Sequence, residues 1–260
     1  MASVKSGVRS LATAGGLNIS RWTGPARLKH RAREGAALST FVFDAYGTLF
    51  DVNAAIARHR HAVGPDADRL SEIWRTKQLE YTWTLTLAGR YIDFWTLTER
   101  ALDYALARVP SVPPALKSPL LEAYLRLDAF ADAAPTLVEL RRRGHRTAIL
   151  SNGSPPMLDA VVAAAGFGSA LDAVLSVESV GAYKPDPRVY GLATATFKVA
   201  PAAVTFVSSN RWDVMGSALF GFRAMWIKRH GAVEEYPEAA PVSVLANLTT
   251  LLSMAAAASS

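Results

Sequence analysis

The chain has no cysteine. That absence excludes disulfides, thiolate metal sites and a cysteine nucleophile. No run of about 18 or more apolar residues occurs, so nothing in the sequence spans a membrane as a helix. The first 38 residues are poor in acid. Seven Lys/Arg (Lys5, Arg9, Arg21, Arg27, Lys29, Arg31, Arg33) face Glu34 alone, and the rest of the chain carries 21 basic and 21 acidic residues. The formal charge of +6 therefore lies in the tail and gives no argument for a nucleic-acid partner of the folded body. No membrane partner is expected either. We read residues 1–38 as a disordered basic extension. The same Arg- and Ser-rich, acid-poor composition suits a targeting peptide, so the expected location is cytoplasmic with a targeting role left open.

What is present is core-forming material: half of the 260 residues are apolar. From residue 40 onward short apolar runs alternate with helical patterns. The expected strands are Thr40–Asp44, Arg146–Leu150, Ala173–Ser176, Val204–Ser208 and Arg223–Ile227. The expected helices lie near Pro156–Ala165, Pro187–Phe197, Asp213–Leu219 and Val242–Met254. This order predicts an α/β fold, a Rossmann-like parallel sheet with helices on both faces. Residues 53–130 break the pattern. Ile56–Val63, Leu70–Leu87, Phe94–Leu106 and Leu120–Leu127 carry helical spacing, with Pro110, Pro113 and Pro114 marking a loop. They predict an α-helical cap inserted into a core formed by residues 39–52 and 131–255.

Four clusters fall at the expected strand ends. Asp44 closes Phe41-Val42-Phe43 and precedes Ala45-Tyr46-Gly47-Thr48-Leu49. Ser151-Asn152-Gly153 follows the second strand, Lys184-Pro185-Asp186 the third, and Ser208-Ser209-Asn210-Arg211-Trp212-Asp213 the fourth. Parallel strands bring these ends to one rim, where open α/β sheets bind ligands. A carboxylate there is a candidate nucleophile. Taken singly, Asp44 also suits a turn, Asp213 a helix start, and Ser151-Asn152 a turn leading into a helix N-cap.

In order and spacing these clusters resemble the four motifs of the haloacid dehalogenase superfamily. Within it, the chain is similar to the L-2-haloacid dehalogenases from about Phe41 to about Ile227. Trp74-Arg75-x-Lys77-Gln78-Leu79-Glu80-Tyr81-Thr82-Trp83 and Tyr183-Lys184-Pro185-Asp186-Pro187-Arg188-Val189-Tyr190 are further matches. Phosphatases of the superfamily usually carry a second Asp two places after the nucleophile, which protonates the leaving alcohol. Here that place is Tyr46. Halide needs no proton to leave. Such phosphatases also place two acids in the fourth motif to help hold Mg²⁺, a hard ion that favours oxygen ligands. This chain has Ser209 in place of the first. The expectation is thus no metal and no cofactor.

The resemblance implies hydrolysis of a small 2-haloacid to the 2-hydroxy acid through an ester on Asp44, with halide as the second product. Thr48 would orient Asp44. Arg75 and Asn152 would receive the halide, and Ser151 the substrate carboxylate. Lys184 would pair with Asp44, supported by Tyr190, Ser208 and Asn210. Asp213 would serve as base toward water, with Asn210 positioning it. Tyr46, Leu79, Phe94 and Trp212 would wall the alkyl group. Thr76 stands where relatives often have Gln, which bears on an outer halide or substrate contact. A homodimer is expected. The alternatives are a Mg²⁺-dependent phosphatase of a small metabolite and a non-catalytic binding module.

Overall fold

The computed structural model of the chain describes residues 39–229, 231–239 and 242–257. The expectations for residues 1–38 lie outside the described residues. Six strands form one parallel sheet in the order β3-β2-β1-β4-β5-β6. They are β1 (Thr40–Phe43), β2 (Arg146–Ser151), β3 (Ala173–Ser176), β4 (Val204–Ser208), β5 (Arg223–Ile227) and β6 (Ser243–Leu245). Phe41, Val42 and Phe43 are almost wholly buried. Apolar aromatic and β-branched residues buried on both faces are what a central parallel strand requires, and each such side chain contributes ~1.5–3 kcal/mol.

From β1 the sheet grows through β2 and β3 to one side and through β4, β5 and β6 to the other. Right-handed crossovers running in opposite directions put helices on opposite faces. The order of growth reverses between β1 and β4, and a crevice forms at the carboxyl ends of strands at such a switch point. Phe43 is in register with Val207, so Asp44 comes level with Ser208. The sheet thus delivers the first and fourth motifs to one place.

The helices are α1 (Ala54–Arg58), α2 (Arg60–Val63), α3 (Ala67–Leu87), α4 (Phe94–Arg108), α5 (Lys117–Tyr124), α6 (Ala133–Arg142), α7 (Pro155–Ala164), α8 (Pro187–Phe197), α9 (Arg211–Phe220) and α10 (Thr249–Ala257). α1 to α5 occupy the stretch between β1 and β2 that was expected to be helical. In α3 the buried residues Ala67, Leu70, Trp74, Gln78 and Thr82 form one stripe at three- and four-residue spacing. That stripe packs on α4. Trp74 Nε1 donates to the Thr98 carbonyl at 2.9 Å, and Gln78 Nε2 donates to Thr98 Oγ1 at 3.0 Å. Asp93 caps α4 by accepting from the Thr96 N–H at 3.0 Å.

Several expectations are corrected. The helix near Val242–Met254 is instead strand β6 followed by α10. Ser243-Val244-Leu245 pairs with β5, and Asn247 Oδ1 accepts the Thr250 N–H at 3.1 Å to start the helix later. The pattern at Ile56–Val63 is two short helices meeting at His59. The helix expected at Leu120–Leu127 runs from Lys117 to Tyr124. α9 begins at Arg211, which sets Asp213 inside its first turn. β1 ends at Phe43, although the Asp44 N–H still donates to the Val207 carbonyl at 2.9 Å. α6 was not anticipated. Among the described residues no helix is long and apolar enough to cross a membrane.

Candidate active site

Asp44 is 5% exposed and its two oxygens are held differently. Oδ2 accepts from Asn210 Nδ2 at 2.8 Å, Thr48 Oγ1 at 3.0 Å and Ser208 Oγ at 3.4 Å. Oδ1 accepts from Lys184 Nζ at 3.2 Å. The turn that carries Thr48 needs Gly47, whose φ of +90° suits glycine. Ser209 ties this turn to β4. Its Oγ donates to the Gly47 carbonyl at 2.7 Å, and its N–H donates to Thr48 Oγ1 at 2.8 Å. The sequence marked Ser209 only as an acid that is absent. Its hydroxyl in fact fixes the loop that orients the carboxylate. Among the described residues no three His, Asp or Glu side chains cluster as a metal site would require.

Lys184 Nζ lies between two carboxylates, 3.2 Å from Asp44 Oδ1 and 2.8 Å from Asp213 Oδ2. Burial opposes its charge, but Asp213 and Asp44 together outweigh burial and raise its pKa above the ordinary lysine value. Asp213 has no exposed surface. Burial pushes its carboxyl up to about 6; Lys184 opposes that rise and the charge of Asp44 adds to it. Tyr190 OH donates to Asp213 Oδ1 at 2.8 Å. The shell expected around Lys184 is therefore distributed otherwise. Tyr190 holds Asp213, whereas Ser208 and Asn210 hold Asp44. The ammonium spends two of its three N–H donors on carboxylates, and the carboxylate lone pairs that remain take the Tyr190, Ser208 and Asn210 donors.

A small pocket beside Asp44 is lined by Tyr46, Arg75, Leu79, Phe94, Ser151, Asn152, Asn210 and Trp212. All of these were singled out from the sequence, and two separate parts of the chain supply them. Arg75, Leu79 and Phe94 come from α3 and α4, and the others from the sheet rim. Tyr46 stacks on Tyr124 at 5.6 Å between ring centroids and lies 6.1 Å from Phe94. Its hydroxyl is buried without a hydrogen-bond partner among the described residues. Burial, then Tyr124, raises its pKa well above the ordinary phenol value, so it stays a neutral donor. Tyr124 carried no motif and was found only through this contact. Asn152 Oδ1 accepts the Lys184 N–H at 3.1 Å, which joins the second and third motifs. Ser151 Oγ accepts the Gly153 N–H at 3.1 Å and so also makes the turn.

A larger open hollow of about 320 Å³ shares Arg75 and Asn210 with the pocket. It is bounded by Gly47, Glu72, Thr76, Phe130, Ser209 and Arg229, among others. Thr76 belongs to this outer hollow and does not line the inner pocket. Arg229 was not anticipated. Its Nη2 donates to the Thr48 carbonyl and to Asp132 Oδ1, each at 2.9 Å, which anchors the same turn from the end of β5.

Gly216 shows how tightly the site is backed. A Cβ there would stand 2.6 Å from both Pro185 Cβ and Tyr190 OH. Alanine gains ~1 kcal/mol of helix propensity, but overpacking costs ~1–3 kcal/mol, and the proline ring cannot yield as a flexible chain would. Gly216→Ala is expected to lower the thermal midpoint and the turnover together, because Tyr190 must leave Asp213. A thermal melt and a rate measurement on one preparation check this.

The arrangement is that of a carboxylate-nucleophile hydrolase, and residues 38–221 match the family model for haloacid dehalogenase-like hydrolases. The chain belongs to that family. It is 48% identical over 215 residues to (S)-2-haloacid dehalogenase 1 of a Pseudomonas species (strain CBS-3), covering 81% of this chain and 95% of that one. It is 46% identical over 207 residues to (S)-2-haloacid dehalogenase 4A of Burkholderia cepacia, covering 79% and 89%. Among solved structures it is similar to the L-2-haloacid dehalogenase of Xanthobacter autotrophicus with chloropropionic acid covalently bound. That likeness has a TM-score of 0.74 and 36% identity over 84% of this chain and 98% of the other.

Proposed function

We propose that this protein hydrolyses short (S)-2-haloalkanoic acids to 2-hydroxy acids with inversion, through an ester on Asp44. The observation that carries the reading is the environment of Asp44. It is a carboxylate at the switch point with one well-filled oxygen, one oxygen facing only Lys184, and a tyrosine in the place where an alcohol would need an acid. Oδ1 keeps a lone pair for attack on Cα. The carbon–halogen bond breaks as the carbon–oxygen bond forms, and halide departs with the electron pair toward Arg75 and the Nδ2 hydrogens of Asn152. The guanidinium suits this task because it cannot lose its proton. Ser151 and the neighbouring backbone N–H groups receive the substrate carboxylate. Tyr46, Leu79, Phe94 and Trp212 keep the alkyl group dry.

Water then attacks the Asp44 carbonyl carbon. Asp213 takes one water proton and passes it to the leaving oxygen as the ester C–O bond breaks; the hydroxy acid departs, and Asp44 sheds the second proton to return as a carboxylate. One carboxylate thereby divides a difficult displacement into two steps. Lys184 offsets the repulsion between substrate and nucleophile. In this reading residues 53–130 act as a cap that supplies Arg75, Leu79 and Phe94 to the pocket. A cytoplasmic homodimer completes it. Leu87, exposed at the end of α3, is an apolar side chain that a second copy would cover, and sedimentation velocity distinguishes dimer from monomer.

The test is halide release from (S)- and (R)-2-chloropropionate with a metal chelator present. Chloride and (R)-lactate are expected from the (S) substrate alone, at a rate the chelator does not change. Phosphate release from small phosphate esters on adding Mg²⁺, with no chloride, would favour the phosphatase reading instead.

A further inference from the structure

Tyr183 precedes Lys184, yet the two side chains serve different parts of the molecule. The Lys184 ammonium goes to the carboxylates, while the fully buried Tyr183 engages α3 and α4. The Tyr183 hydroxyl donates to the carbonyl of Ile92, in the connection between those helices. Its backbone N–H donates to Thr86 Oγ1, in the last turn of α3, at 3.1 Å. Its ring stacks on Tyr91 at 5.2 Å and meets the pocket residue Phe94 at 6.1 Å. On the other side, the next peptide N–H is held by Asn152 Oδ1. One residue therefore joins the helices that wall the pocket to the loop that carries the cation.

We propose that Tyr183 is a positioning residue, a latch that sets the distance between the pocket wall and the nucleophile. It touches neither substrate nor the reacting atoms. Burial with two hydrogen bonds fixes it at both ends, and a polar group so buried is costly to leave unpaired. The hydroxyl, the peptide N–H and the ring each reach a different point between positions 86 and 94. Plain core filling would need only the ring. The consequence falls on binding: a looser wall holds the small acid less well, while Asp44, Lys184 and Asp213 keep their own bonds to one another.

The proposal rests on the dehalogenase reading, and two readouts keep the two apart. Tyr183→Phe keeps the ring and loses the hydroxyl, and Thr86→Val loses the acceptor, while Thr86→Ser retains it. Hydrogen–deuterium exchange of the whole chain is expected to quicken at residues 84–94 in Tyr183→Phe and Thr86→Val and to stay unchanged in the sheet strands. In the chloride assay KM should rise by ~3–10-fold, the scale of one net hydrogen bond, with kcat within about twofold and Thr86→Ser close to the parent. Unchanged exchange at 84–94, faster exchange throughout the sheet, or a loss confined to kcat would overturn the latch. Local quickening in a chain whose parent releases no halide would support the latch and sink the dehalogenase reading.

Discussion

Asp44→Ala should abolish halide release, with a fall of ~10⁴ or more, as expected when the residue that forms the covalent intermediate is removed. Among the described residues no neighbour is placed to substitute. The nearest ionisable carboxylate, Asp213, is fully buried, with Lys184 on one oxygen and Tyr190 on the other. The fold should survive, because Lys184 keeps its 2.8 Å contact with Asp213 and no buried ammonium is left alone. Circular dichroism on the variant separates lost chemistry from lost structure. A companion measurement on the parent enzyme is sharper. After one turnover in ¹⁸O water, mass spectrometry of the peptide containing Asp44 should find the heavy oxygen in its carboxyl group. Label found only in the hydroxy acid would mean that water attacked the substrate directly, and the ester mechanism would be lost.

Asp213→Asn should separate the two halves of the reaction. Asparagine keeps the shape and an acceptor for Tyr190, but it cannot take a proton from water at neutral pH. Alkylation would proceed, whereas hydrolysis would slow by ~10²–10⁴, the usual worth of a general base. One equivalent of halide should therefore appear in a burst, followed by little product, and the intact protein should gain the mass of the substrate's 1-carboxyalkyl group, joined through Cα to an Asp44 oxygen. The parent enzyme carries the matching pH signature. Asp213 acts as its carboxylate, and burial raises its pKa to about 6. In the ester Asp44 carries no charge and its upward push on Asp213 is lost, so the hydrolytic step should be fully active above about 6 and decline as pH falls at or below that value. Stopped-flow measurement of product formation across roughly pH 4 to 8, which spans the ordinary and the raised range of an aspartate, checks the direction. Hydroxy acid formed by the asparagine variant at the parent rate would remove Asp213 from the mechanism.

The motifs were readable because each is local. Phe41-Val42-Phe43-Asp44 is a buried strand running into a carboxylate, and Tyr46 two places on changes what that carboxylate can accomplish. Other features were not readable for equally physical reasons. Strand β6 is three residues long with two of them exposed, so its apolar content is slight and the longer helix beside it dominates the pattern. Ser209 looked like the loss of an acid because its partner, the Gly47 carbonyl, lies 162 positions away. Tyr124 sits in an ordinary helical stripe, and nothing local says that its ring will stack on Tyr46. Arg229 and Asp132 are 97 positions apart and join only around the turn they hold.

The sequence by itself determined the alternation of strands and helices, the order of the four clusters and the chemical character of each side chain, because those follow from spacing and residue type. Tertiary structure alone decided who pairs with whom. Lys184 meets Asp44 across 140 positions, and Asn210 meets it across 166. Those pairings depend on strand register at the switch point and on burial, which turns a surface-worthy set of charges into a mutually dependent group. Spacing along a chain carries no information about which of several carboxylates a buried ammonium will face; the packing of the sheet supplies it.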